Sequence, residues 1–300
     1  MALAAGAAGA ELLVSNYFGN NIVRFDTSSG ANLGAYTGGT LSGPLAMRVG
    51  PDGLLYVCSE SNNSIQRFNM STHAYLDTIV TSTGLSNPTG LTFDSGNNFL
   101  VGNFLNSTVT KYSSTGSFLG TLVGSGSGGL NGPDVGTVIG PDGKLYVPSF
   151  NSNAVLRYDA STGAFLGTFI AAGFGGMSQP RTVLFRDSKV WVTSDNGNKV
   201  LRYGLDGSFV DTFVTAGSGG LSGASGMAFG DDGFLYVSSW RNNQVLRYNL
   251  TTGAFVNTFA STGLSGDTYL TMVPEPGTIA GIGIGLAAVS LMRRKRAESR

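Results

Sequence analysis

A register of about 45 residues runs through the chain six times, and this periodicity limits the possible folds more than any other feature. A short apolar strand carries a valine at Val14, Val57, Val101, Val147, Val192 and Val237, at spacings of 43, 44, 46, 45 and 45 residues. Ten residues after each valine a basic side chain precedes an aromatic one: Arg24-Phe25, Arg67-Phe68, Lys111-Tyr112, Arg157-Tyr158, Arg202-Tyr203 and Arg247-Tyr248. Two independent markers therefore hold one register. A length of 300 residues would allow two domains, but a repeat array of this kind makes one.

Within each unit the apolar runs are short, rich in β-branched and aromatic residues, and bounded by turn residues, which is strand chemistry. The fourth unit shows it most clearly. Strand A is read at Gly136–Ile139, Pro141-Asp142-Gly143 closes a hairpin into strand B at Leu145–Val147, and strand C at Val155–Tyr158 turns through Ser161-Thr162-Gly163 into strand D at Phe165–Phe169. Proline presets φ, aspartate bonds the backbone that follows, and glycine supplies positive φ, so these tripeptides close tight turns. The 46 glycines, about twice the usual share, are thus turn punctuation. A hydrophobic content of 41% is enough to bury a core, which excludes a disordered chain.

Four antiparallel strands per unit, repeated radially, predict an all-β six-bladed β-propeller. An open solenoid is the competing architecture. The first unit decides between them, because it starts at strand B (Leu12-Leu13-Val14) with no strand A of its own, while Tyr269–Val273 stands at a strand A position after the sixth unit. The last strand is expected to complete the first blade and close the ring, a step no solenoid requires.

The Leu-Tyr-Val-Ser-Ser, Val-Leu-Arg-Tyr and Thr-Gly-Ala-Phe-Leu-Gly-Thr-Phe runs resemble the NHL-type six-bladed propellers and the wider group of streptogramin lyases and gluconolactonases. The resemblance covers residues 11–273 and implies a fold rather than an activity, since this architecture hosts hydrolases, lyases, binding modules and scaffolds. After residue 273, Pro274-Glu275-Pro276, an apolar stretch from Thr278 to Met292, and Arg293-Arg294-Lys295-Arg296 follow in that order. This resembles a PEP-CTERM sorting signal over residues 274–300. The resemblance implies an exported bacterial protein held in the inner membrane by one C-terminal transmembrane helix until an exosortase cleaves near Pro-Glu-Pro, then released to a cell surface or matrix rich in exopolysaccharide. The basic cluster would stay cytoplasmic. At the other end, residues 1–10 (MALAAGAAGA) read as the remnant of a signal peptide.

Charge excludes one partner class. The five basic residues of the last eight offset a mildly acidic body, in which residues 1–273 carry 13 basic and 16 acidic side chains without a basic stripe, so nucleic acid is not expected. Cys58 is the single cysteine and forms no internal disulfide. The basic residues repeated in strand C have the fixed register of an architectural side chain. Gly124–Gly129 matches a phosphate-binding G-x-G-x-x-G only formally, as no helix follows it.

In a propeller the B–C and D–A loops share one face, where ligands bind. Three residues past each strand B valine stand Tyr17, Glu60, Phe104, Phe150, Asp195 and Trp240, four aromatics and two carboxylates on opposite blades. Near the start of each strand A stand Leu45, Thr89, Asp134, Arg181, Ser225 and Thr268, of which Asp134 and Arg181 are read as an ion pair between neighbouring blades. Tyr17, Glu60, Phe104, Phe150, Asp195 and Trp240, with Asp134 and Arg181, form the expected ligand site, for an envelope glycan or a surface protein. No cofactor and no catalysis are expected. The single histidine, His73, falls in a C–D turn on the opposite face, which removes the base a streptogramin lyase would need. The alternative functions are a lactonase-like hydrolase holding a divalent cation such as calcium through Glu60, Asp134 and Asp195, and a non-catalytic protein-interaction scaffold.

Overall fold

The computed structural model describes residues 10–273. Six four-stranded antiparallel sheets are arranged as blades. The first blade joins both ends of the chain, with β1 (Glu11–Asn16), β2 (Asn21–Asp26) and β3 (Asn32–Ala35) followed on the inner side of β1 by β24 (Asp267–Val273). The second is β4 (Pro44–Val49), β5 (Leu54–Ser59), β6 (Ser64–Asn69) and β7 (Tyr75–Thr81), and the third β8 (Pro88–Phe93), β9 (Phe99–Asn103), β10 (Thr108–Tyr112) and β11 (Phe118–Val123). The fourth is β12 (Val138–Ile139), β13 (Lys144–Ser149), β14 (Ala154–Asp159) and β15 (Phe165–Ile170). β16 (Pro180–Arg186), β17 (Lys189–Ser194), β18 (Lys199–Gly204) and β19 (Phe209–Val214) make the fifth. β20 (Ala224–Phe229), β21 (Phe234–Ser239), β22 (Gln244–Asn249) and β23 (Phe255–Ala260) make the sixth.

The six-bladed all-β reading and its closing strand hold. β24 pairs antiparallel with β1 from Glu11↔Val273 to Ser15↔Tyr269, so ring closure is a hydrogen-bonded ladder. One element differs. Strand A of the fourth blade, expected at Gly136–Ile139, is reduced to Val138–Ile139, because Asp134 accepts the Val135 amide on its side chain and the Thr137 amide on its carbonyl, which bends the segment into a turn. The expected signal-peptide remnant lies outside the described residues except for Ala10, and so does the expected transmembrane helix. No helix among the described residues is long and apolar enough to cross a membrane.

The core lies between blades as much as within them. Leu12, Val14, Val23 and Phe25 of the first blade pack with Ala228, Tyr236, Val245 and Phe259 of the sixth, and equivalent clusters join the other neighbours. Polar contacts repeat with the same period. The last residue of each B–C turn sits in the left-handed region, at Asn20, Asn63, Ser107, Asn153, Asn198 and Asn243, and its side-chain oxygen accepts a backbone amide from the loop entering the next blade. The acceptor distances are 2.9 Å from Gly43, 2.7 Å from Asn87, 3.1 Å from Gly132, 2.7 Å from Gln179, 2.7 Å from Gly223 and 2.6 Å from Gly266. Asparagine suits the role because its short polar side chain tolerates positive φ better than other residues with a Cβ. The strand C cations are structural: Arg67 and Arg202 pair with Asp77 and Asp211 at 2.5 Å, Lys111 with Asp94 at 2.7 Å, and Arg247 bonds Asn257 at 3.0 Å. Gly124–Gly129 runs into a single 3₁₀ turn at Ser127–Gly129, and turns at Phe174–Gly176 and Ser218–Gly220 repeat it.

At the position that opens strand A, other blades carry Pro44, Pro88, Pro180 or Ala224, but the closing strand carries Asp267. This carboxyl is fully buried, and neither oxygen makes a well-formed hydrogen bond, although the Ser238 hydroxyl and the Ser239 and Gln244 amides lie nearby. Burial pushes it well above its ordinary value of 3.8.

Two predictions follow from these contacts. Asn243→Ala is expected to lose about 2–3 kcal/mol of stability in urea unfolding, from the orphaned Gly266 amide and from alanine held at positive φ, while Asn243→Gly recovers only the backbone part. Asp267 has a folded value raised above its unfolded one, so its stability contribution is complete below 3.8 and is lost as pH rises. Asp267→Ala is expected to be about 1–3 kcal/mol more stable than the parent at neutral pH, with the advantage shrinking on acidification.

Candidate functional site

The B–C turns gather at one end of the central channel, and their side chains line a cavity of about 240 Å³. Tyr17, Glu60, Phe104, Phe150 and Trp240 from these turns meet Leu45, Thr89, Asp134, Arg181 and Thr268 from the starts of the inner strands. The two columns read from the sequence thus converge on one concavity, with two exceptions. Ser225 is buried and bonds the Thr268 carbonyl at 2.6 Å. Asp195 was expected beside the ligand, but its side chain is fully buried behind the wall.

Asp195 is the fixed point of the site. Arg181 Nε donates to its Oδ2 at 2.5 Å, Trp240 Nε1 donates to the same oxygen at 3.0 Å, and Arg241 Nη2 lies 2.6 Å from Oδ1. The expected pairing of Arg181 with Asp134 is present but longer, at 3.6 Å. The Arg181 guanidinium also stacks between two rings, 4.9 Å from the centre of Phe150 and 5.6 Å from that of Trp240. Burial pushes the Asp134 carboxyl above its ordinary 3.8, and the Arg181 charge only partly offsets this. Burial opposes the Arg181 cation too, yet Asp134 and Asp195 outweigh it, so the guanidinium holds its proton more tightly than usual. Tyr17 donates its hydroxyl to Glu60, and burial followed by this bond raises its own titration.

The turn chemistry beneath the rings is equally specific. Gly223 has φ +73°, and a Cβ there would sit 2.4 Å from Trp240 Nε1, so only glycine leaves room for the indole. Two contributors were not anticipated from sequence, Phe18 and Arg241. Both stand four residues past the valine, one beyond the chosen column, and Phe18 is 63% exposed. For Phe18 a large apolar residue at a turn position was the available signal; Arg241 carried none.

Asp134 and Asp195 share one guanidinium, and among the described residues no three His, Cys, Asp or Glu side chains come together as a metal site requires. His73 lies in a C–D turn at φ 57°, against Arg24 and Tyr36, and does not line the cavity.

The C-terminal segment matches the family model described as the PEP-CTERM protein-sorting motif, over residues 273–296. Residues 273–296 are a PEP-CTERM motif. The motif marks the chain for export and for membrane-anchored processing by an exosortase. No curated protein matches the chain. Solved structures match its propeller. A chain of a nidogen/laminin complex is 18% identical with a TM-score of 0.71, covering 88% of this chain and 98% of its own. A Bacteroides caccae protein of unknown function is 14% identical with a TM-score of 0.67, covering 88% and 99%. A streptogramin B lyase is 14% identical with a TM-score of 0.62, covering 91% and 93%. At these identities the likeness concerns fold alone.

Removing Arg181 leaves two buried carboxylates short of their cation. Arg181→Met is expected to cost about 3–5 kcal/mol at neutral pH. Without the guanidinium Asp134 climbs further above 3.8, so the deficit widens with rising pH and narrows toward 3.8, which paired denaturation curves across that range would check.

Proposed function

We propose that this chain is an exported binding protein whose mouth cavity takes one sugar unit of an envelope or matrix glycan, without catalysis. The observation that supports the reading most is the convergence of Tyr17, Phe18, Phe104, Phe150 and Trp240 with a few polar groups around one small concavity. Aromatic faces accept the apolar faces of sugar rings, while polar groups at the edges read the hydroxyls. The volume is below the usual range of about 300–1,000 Å³ for ligand pockets, which suits a single ring or a chain end. Trp240 and Arg181 are already locked through Asp195, so little side-chain freedom is lost on binding.

A protein partner is the second reading, favoured by the rim, where Phe18 is 63% and Leu105 72% exposed. The lactonase-like alternative finds no support in the donor set.

Calorimetry of the chain with exopolysaccharide purified from its host tests the proposal. Saturable binding is expected that weakens about three- to tenfold in Trp240→Ala, less in Trp240→Phe, and not at all with a divalent chelator. Absence of saturable binding by a folded chain would eliminate the glycan.

A further inference from the structure

The position of the sorting motif on the propeller sets the orientation of the anchored protein. Five blades connect their A and B strands by a hairpin, at Gly50–Gly53, Asp94–Asn97, Gly140–Gly143, Asp187-Ser188 and Gly230–Gly233. In the first blade this hairpin is missing. Its A strand is β24 and its B strand is β1, so Val273 and Glu11 stand side by side where the turn would be. The A–B turns occupy the face opposite the B–C turns that build the cavity. β24 runs between the two faces, from Thr268 in the cavity wall to Val273 at the far side. Its seven residues span roughly 23 Å at about 3.3 Å per residue. The PEP-CTERM match begins at that far end, with Val273 itself. Only a single proline-flanked glutamate, Pro274-Glu275-Pro276, and Gly277 separate the ladder from the apolar stretch. So short a connection cannot lead the chain around a blade to the mouth side.

We propose that the A–B turn face is the membrane-proximal surface of the anchored precursor, and that the mouth points away from the bilayer. Ligand capture and tail cleavage then occur at opposite ends of the propeller and do not compete. The inference rests on the sorting tail acting as a membrane anchor. It does not depend on which ligand the mouth takes.

The full-length chain reconstituted into phosphatidylethanolamine/phosphatidylglycerol vesicles carrying a headgroup quencher tests it. Cys58 is buried, so a single introduced cysteine can carry the fluorophore. Ser95→Cys places the label in an A–B turn and Asn196→Cys in a B–C turn, and both residues are exposed. The Ser95 label is expected to be quenched several-fold more than the Asn196 label. Equal quenching, or stronger quenching at Asn196, overturns the orientation. Failure of the chain to float with the vesicles would show instead that the anchor reading is wrong, and the orientation would fall with it.

Discussion

Six side chains held at positive φ link the blades into a ring. Each stands at the end of a B–C turn and accepts an amide from the loop that enters the following blade, and the last of these bonds, from Gly266 to Asn243, joins the sixth blade to the closing strand. The same turn carries the cavity side chain three residues earlier. Inter-blade geometry and site geometry therefore share one backbone conformation, and the positions of Tyr17, Phe104, Phe150 and Trp240 follow from how the blades are clamped.

Within that frame the site is organised around a buried charge. Asp195 is removed from solvent, which would be costly for a lone carboxylate, and it is compensated by two guanidinium groups and an indole N–H. Such an arrangement adds little net stability compared with an apolar packing, but it fixes orientation. Arg181 and Trp240 are held by this one anchor, and the stacked faces of Phe150, Arg181 and Trp240 make a wall with a defined position.

The sequence made the architecture legible because a turn repeated at fixed register leaves a column of equivalent positions, and a missing first strand can be matched to a surplus last one. The cavity was legible for the same reason, since residues in one column must face one axis. Contacts between columns were not. Asp195 is held behind the wall by Arg181, Trp240 and Arg241 together, and Arg241 belongs to the next blade and to the next column, so no spacing within a repeat connects the two. The shortening of strand A in the fourth blade was hidden because Asp134 competes for backbone amides through its own side chain, a local choice that hydrophobic pattern does not report. Asp267 escaped notice because a carboxylate in a loop-to-strand junction looks solvated until the neighbouring blade covers it.

The pairing of Glu11 with Val273 has a consequence for how the molecule could be rebuilt. Because the two ends meet in one ladder, the order in which the chain visits its blades is arbitrary. A peptide joining these ends, with a new opening cut at the Pro51–Gly53 hairpin, would leave every strand pairing in place. The sorting tail could then be moved to another blade while staying on the same face, so the distance between tail and mouth is a property of the ring rather than of the gene order.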